Sequence, residues 1–331
     1  MRKTVVLLLL LLFAGFICAN DTYFFTSGGN LRPAEEQNVP VQMRSEVIAI
    51  VLESDYYEVT VDFNFYNTGK ELELLVGFPF FEAGIGGHGR IWDFKCWTNG
   101  ELTDYSDMPI DREFSNDNYA AGELENAYTR LILFPAKSST TTKVSYKSEY
   151  GEDTEGLIVK YLYGTGSSWK GAIGEMTVRL ENRMDYSRPD AFELPSKDTS
   201  AFARVADNCW EAHFFKLRPG YTDCITIHAA SIFYDNGPKA FPAYFPFIRT
   251  KSQQTWLFWY TKPQLRLLRN TIYALHGYEF KSDDLRQLFG RWGQSWYPPY
   301  TVRPDFSEGE LSEIEKYNIR LILQEEARRG K

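Results

Sequence analysis

The chain has 331 residues, 44% of them hydrophobic and 16% aromatic, and a formal net charge of −8. That length accommodates about two domains, and the acidic balance argues against nucleic acid and anionic lipid as partners. Tyr and Phe dominate the aromatic share, a bias that suits β-strands and equally suits surfaces that grip sugars or proteins.

In chain order, Arg2 and Lys3 supply a short positive region, Val5 to Phe13 is an unbroken apolar run, and Ala19 is a small residue suited to cleavage. This pattern predicts a secretory signal peptide over residues 1–19, with an apolar run too short to anchor stably in a bilayer. Cys18 raises the alternative of a lipoprotein, but the residue before it, Ile17, is bulky where such processing generally takes a small one. No later stretch reaches the roughly 18 apolar residues of a membrane span. The expectation is an exported mature chain, periplasmic or extracellular, more negative by the two charges lost with Arg2 and Lys3.

Export permits disulfides. Cys96, Cys209 and Cys224 follow the leader, and Cys209 with Cys224 flanks a predicted hairpin, so these two form the expected disulfide, leaving Cys96 over. No C-x-x-C or paired His accompanies them, which disfavours zinc.

From Val41 to Phe81 the chain reads as strands. Val59, Val61, Phe63 and Phe65 alternate with Glu58, Thr60, Asp62 and Asn64, the period of a half-buried strand. Asn67-Thr68-Gly69-Lys70 is a turn, and Leu72, Leu74, Val76 and Phe78 resume the alternation, predicting an antiparallel hairpin. Further strands are expected at 91–98, 128–134, 141–150, 157–163, 175–181, 210–215 and 224–229. The stretch 104–126 is acidic and aperiodic and reads as a long loop. Many short strands without interleaved helices predict a mainly β fold, an antiparallel β-sandwich-type region of one or two sandwiches over residues 20–236.

Residues 237–260, rich in Pro and aromatics in their first half, read as a connector. A helical period begins at 261. Thr261 with Gln264 forms a capping box, Leu265, Leu268, Ile272 and Leu275 make an apolar stripe, and Gly277 suits the C-terminal cap. Ser282 starts a second short helix ending near Gly290. Ser307 with Glu310 is another capping box, and Leu311, Ile314, Leu321 and Ile322 line one face of a last helix. A small three-helix C-terminal domain over residues 261–331 follows.

The run Leu268-Arg269-Asn270-Thr271-Ile272-Tyr273-Ala274-Leu275-His276-Gly277-Tyr278-Glu279-Phe280-Lys281-Ser282 resembles the signature of the YARHG domain, a module of bacterial extracytoplasmic proteins. Leu285, Phe289, Trp296-Tyr297, Leu311, Glu315 and Asn318-Ile319 fall at its later positions, so the resemblance spans about residues 261–325. Leu275 stands where the name-giving Arg would be, so any role of that Arg is absent. Residues 22–230 resemble, through scattered short motifs, the exported domain of unknown function 4424. These motifs are Gly28-Gly29, Met43-Arg44-Ser45-Glu46, Phe78-Pro79, Phe134-Pro135-Ala136, Tyr161, Thr165-Gly166-Ser167-Ser168-Trp169-Lys170-Gly171, Ile173-Gly174 and Trp210. Neither resemblance implies a reaction.

Candidate sites are few. Gly84-Ile85-Gly86-Gly87-His88-Gly89 leads into a strand and lacks the helix a phosphate loop needs, so a hairpin connection is the reading. Asp104, Asp107, Asp111, Asp117 and Asn118 lack calcium-loop spacing and read as a solvated acidic loop. His88, His213, His228 and His276 show no metal-binding spacing, and no nucleophile motif occurs. His276 sits at a helix C-terminus, where it can bond the last carbonyls or, alternatively, contact a ligand. Thr165–Gly171 reads as a Gly-rich turn whose Trp169 plugs the sandwich, with a ligand-binding loop as the rival. Trp292, Trp296, Tyr297 and Tyr300 form the densest aromatic patch of the helical domain, a stacking platform if two rings are exposed on one face. The sequence thus predicts a non-enzymatic envelope protein without catalytic residues, cofactor or metal, binding an envelope glycan or protein. The alternatives are an envelope hydrolase with unassigned carboxylates and a structural subunit of an envelope assembly.

Overall fold

The computed structural model describes residues 18–19, 21–27, 30–33, 39–80, 91–110, 126–152, 156–195, 202–220, 223–231, 255–292 and 300–329. The signal-peptide reading (save Cys18 and Ala19), the glycine loop at 84–89, the acidic stretch 111–125 and most of the connector lie outside these residues.

The first strands are β1 (Cys18–Ala19), β2 (Thr22–Ser27), β3 (Asn30–Pro33), β4 (Val41–Leu52), β5 (Tyr57–Asn67) and β6 (Leu72–Phe80). Next come β7 (Ile91–Thr98), β8 (Glu101–Thr103), β9 (Ser106–Pro109), β10 (Asn126–Phe134), β11 (Ser139–Ser148) and β12 (Gly151–Glu152). The last are β13 (Leu157–Leu162), β14 (Ile173–Asn182), β15 (Ser187–Glu193), β16 (Ala203–Ala206), β17 (Cys209–Leu217) and β18 (Cys224–Ser231). They form three sheets: an eight-stranded one ordered β16-β17-β14-β4-β5-β11-β7-β8, a five-stranded one ordered β3-β2-β6-β10-β9, and a second five-stranded one ordered β1-β13-β18-β15 with β12 on β13. One hydrophobic core joins all three, holding Val61 and Phe63 of the broad sheet, Val76 and Phe134 of the second and Val159 and Ile225 of the third. The mainly β expectation holds, and the β region is one sandwich in which two short sheets share the inner face of a broad one.

The predicted hairpin of β5 and β6 does not form, because the two strands belong to different sheets. Alternation in β5 is real, with Val59, Val61, Phe63 and Phe65 buried, whereas in β6 Gly77 and Pro79 are buried along with Val76 and Phe78. Alternation records which face meets the core and carries no information about the edge partner. The turn between them is a crossover pinned by Asn67, whose buried amide donates to Lys70 O at 2.7 Å and Phe134 O at 2.9 Å. The same side chain's Oδ1 accepts from Gly69 N at 2.7 Å. Part of the expected loop is also structured, since Ser106–Pro109 pairs with the start of β10.

Several motif residues have structural duties. Trp169 follows a 3-10 turn at Gly164–Ser168 and is buried, its indole N–H donating to Asp21 O at 3.0 Å and its ring 4.5 Å from that of Phe65. This is the packing role expected of a plug. Gly174 lets the start of β14 approach β4, since a Cβ there would lie 2.4 Å from Arg44 O. Asp21 and Arg130 make a fully buried ion pair at 2.7 Å, and Thr142 of β11 donates to the same carboxylate at 2.8 Å.

The expected Cys209–Cys224 disulfide is not present. The two residues lead strands of different sheets, β17 pairing with β14 and β16, and β18 with β13 and β15. Even a hairpin of these strands would have set their leading ends apart by its own length, at about 3.3 Å per residue. Cys96 is buried, donates to Thr103 O at 3.1 Å, and burial raises its thiol above the ordinary range.

The C-terminal region holds α1 (Lys262–Leu275), α2 (Asp283–Trp292) and α3 (Glu313–Arg328). The Thr261–Gln264 capping box forms as expected. The Ser307–Glu310 box caps a 3-10 turn at Glu308–Glu310, and α3 starts from a further box, Ser312 with Glu315. Leu265, Leu268, Ile272, Phe280, Leu285, Phe289 and Ile322 make a second core, separate from that of the sandwich. The 3-10 turn Thr255–Trp259 stitches the two, with Leu257 in the helical core and Phe258 and Trp259 against the sandwich core.

Candidate functional site

The residues predicted for binding in the helical domain divide sharply. Trp296 and Tyr297 lie outside the described residues, and Trp292 ends α2 with a side chain that is not described. Tyr300 is half-buried against the helical core, its ring 6.1 Å from Phe289 and its hydroxyl donating to Tyr278 O at 2.8 Å. His276 caps α1, and its ring Nε2 lies 2.7 Å from Glu315 Oε1. Glu315 accepts from Ser312 N at 2.7 Å with its other oxygen. Burial pushes its carboxyl up, but the bonds from His276 and Ser312 outweigh that and hold it below the usual range. The signature His therefore ties the end of the first helix to the start of the third, rather than bonding carbonyls of its own helix through its ring.

Neighbouring signature positions do similar work. Gly277 has φ +76°, and a Cβ there would meet Thr301 O at 2.4 Å. Its carbonyl accepts from Arg303 N at 2.7 Å. Arg269 pairs with Glu326 of α3 at 3.1 Å.

The helical domain is fastened to the sandwich by polar contacts. Gln264 is 1% exposed, and its amide donates to Met184 O and Ser187 O, both at 2.8 Å, while its oxygen caps α1. Trp210 donates to Phe258 O at 3.2 Å. Arg329 bonds the carbonyls of Tyr260 and Leu257 and pairs with Glu325 at 2.6 Å and Asp207 at 3.6 Å. Arg204 lies beside them, and burial together with the charge of Arg329 pushes its guanidinium down to about 10.

A recess suited to a ligand lies on the outer face of the broad sheet. Strand register sets Lys143 of β11 between Asp62 of β5 and Trp97 of β7, and Thr141 beside Asn64. Ser45 and Val47 of β4 stand next to Asn64 and Asp62 on the other side. Their short side chains leave a trough of about 610 Å³, whose lining includes Val47, Asp62, Asn64, Trp97, Gly100 and Lys143. Gly100 follows Asn99 in the tight β7–β8 turn, both at positive φ (85° and 51°), which keeps that end of the trough free of a side chain. Trp97 is half-buried, and the Lys143 ammonium lies 5.9 Å from its ring centre and 3.7 Å from Asp62. Asn64 Oδ1 is buried without a hydrogen-bond partner, so it presents no surface to the trough. The trough thus offers an aromatic face, an anion and a cation.

Sequence alternation marks Asp62 and Asn64 as outward-facing but cannot bring Trp97 beside them. That needs the order β5-β11-β7, in which neighbours are remote in sequence.

Comparison with known proteins bears on both parts of the chain. Residues 250–327 match the YARHG domain. The chain carries a YARHG domain at its C-terminus. The YARHG match includes α1, α2 and α3, and its His276–Glu315 and Gly277 contacts are those described above. Over 94% of this chain and 98% of the other, the structure resembles that of a candidate nutrient binding protein from Legionella pneumophila, with a TM-score of 0.51 and 20% identity. At that identity the likeness shows a shared fold. A zinc metallopeptidase of the M1 type from Deinococcus radiodurans aligns with a TM-score of 0.32 and 9% identity, over 59% of this chain and 44% of that one. No curated protein matches the chain. Among the described residues no group of three or more His, Cys, Asp or Glu is placed to hold a metal ion, and no helix is long and apolar enough to cross a membrane.

Proposed function

We propose that the chain is an exported, non-enzymatic binding protein of the bacterial envelope, whose sandwich holds a polyhydroxylated, sugar-like ligand in the Trp97 trough. The YARHG domain acts as a brace bolted to the sandwich end. The observation that carries this reading is the pairing of the Trp97 face with Asp62 and Lys143 in one trough. A sugar ring presents C–H groups to stack on an indole and hydroxyls to bond the acceptor Asp62 and the donor Lys143. The flat ring provides contact area at small entropic cost. The signal-peptide pattern supports location in the envelope, and the fold shared with a candidate nutrient binding protein supports a binding role.

Wild-type exported chain and a Trp97→Ala variant, each applied to an array of glucose and N-acetylglucosamine oligomers and envelope glycan fragments, test this reading. Retention of the wild type on at least one saccharide, lost in the variant, is the expected result. Absence of retention, or equal retention of both, contradicts it.

A further inference from the structure

We infer that the trough is one end of a longer path, and that its ligand is a linear, uncharged glycan reaching a second aromatic platform at Trp92 and Tyr56. The inference rests on the sugar-binding reading of the Trp97 trough and extends it along the outer face of the broad sheet. Trp97 pairs with Lys143 of β11 and Trp92 with Lys147, so the two indoles stand four residues apart along β11, about 13 Å. Small side chains make the row between them, with Ala49 of β4 beside Thr60 of β5, and Thr60 beside Ser145 of β11. The floor therefore stays low from one platform to the other, with Lys95 of β7 at its side.

Sequence spacing alone would set the two indoles on opposite faces, since residues five apart in a regular strand point opposite ways. A bulge in β7 returns them to one face: Asp93 and Phe94 together stand against the single residue Tyr146 of β11, and Asp93 takes φ 53°. Such a bulge re-aims a side chain, here at the cost of a left-handed conformation in a residue that carries a Cβ. Its effect is to bring Trp92 out beside Tyr56, the rings 5.7 Å apart edge to face and both half-buried. The Lys147 ammonium lies 5.4 Å from the Tyr56 ring centre, much as Lys143 lies beside Trp97.

Charge favours a neutral chain. Lys143 lies 3.7 Å from Asp62, and Lys147 lies 3.2 Å from Asp93 and 3.7 Å from Glu58. With Lys95 these cations match the carboxylates in number, so the path offers hydrogen bonds and asks for no counter-charge. One sugar ring cannot cover two indoles about 13 Å apart. An extended, equatorially linked oligosaccharide can, laying an apolar C–H face on each platform and its hydroxyls on Thr60 and Ser145 between them.

Calorimetric titration of the full chain with cellulose- and chitin-derived oligosaccharides, from the monosaccharide to the hexasaccharide, tests the inference. Affinity should rise with length and level off only at or beyond the trisaccharide, once the ligand spans both platforms. Trp92→Ala should weaken the hexasaccharide about ten-fold or more and leave the disaccharide unchanged, whereas Trp97→Ala should weaken both. Ser145→Arg, which raises the floor between the platforms and removes neither ring, should reproduce the Trp92→Ala pattern at an unchanged melting temperature. Disaccharide binding that needs Trp97, with no gain on lengthening and no effect of Trp92→Ala or Ser145→Arg, overturns the path and leaves the trough standing. Absence of binding at every length overturns both.

Discussion

Single side chains with more than one duty hold this molecule together, and they are the least legible from sequence. Asn67 reads as a turn residue, and it is one, but its amide also bridges two sheets through Phe134 O. His276 reads as a helix cap, whereas its ring reaches Glu315 across the domain. Nothing in the local pattern shows such long-range partners, since hydrogen bonding depends on where distant strands and helices come to rest. Gly277 was legible, because a Gly after an apolar stripe marks a helix end. Its replacement gives a direct test: Gly277→Ala forces a left-handed conformation on a residue with a Cβ and drives that atom against Thr301 O. A loss of at least about 1–2 kcal/mol in denaturant unfolding is expected from the conformation alone. Glu315 supplies a pH test. Its folded-state carboxyl lies below the usual range, so its stabilisation is present above the unfolded value and is lost as pH falls through the folded one. The melting temperature of Glu315→Gln should fall less steeply with acidification below the ordinary carboxylate range than that of the wild type. Parallel profiles would remove Glu315 from the acid response.

At the scale of elements, strand and helix positions were readable and their partners were not. The strand at 91–98 occurs as β7, and the capping boxes at Thr261 and Ser307 both form. Periodicity reports burial of one face, which is why it located these elements. It could not show that β5 and β6 part company, that β17 and β18 lie in different sheets, or that β14 runs parallel to β4. Gln264 links element to element: as N3 of α1 it completes the cap, and its amide binds two sandwich carbonyls. Gln264→Ala removes the donor from both and is expected to cost about 1–3 kcal/mol of stability by denaturant unfolding. A change within a few tenths of a kcal/mol would mean that solvent replaces these bonds at no loss.

For the whole molecule, the helical domain has a core of its own but depends on the sandwich for its edges. Excised residues 255–329 would expose Phe258 and Trp259 and leave Gln264 and Arg329 without partners in the sandwich. A domain of this size is marginal alone, so the fragment should melt well below the intact chain by circular dichroism. Equal melting temperatures would show that the brace contacts add nothing. The sequence named only a class of function, and that class remains a proposal. The export pattern and aromatic content pointed to a binding protein of the envelope, but the aromatic patch singled out near Trp296 contains one described ring, Tyr300, and that one packs on the core. The trough emerges only when β5, β11 and β7 align Asp62, Lys143 and Trp97 in one row.

The central claim is that this row is a ligand site, and calorimetric titration of an array-selected saccharide into wild-type and Trp97→Ala chains tests it most directly. Saturable binding by the wild type is predicted, weakened about ten-fold or more in the variant, with the melting temperatures of the two free proteins nearly equal. Equal affinity in both chains would contradict the account.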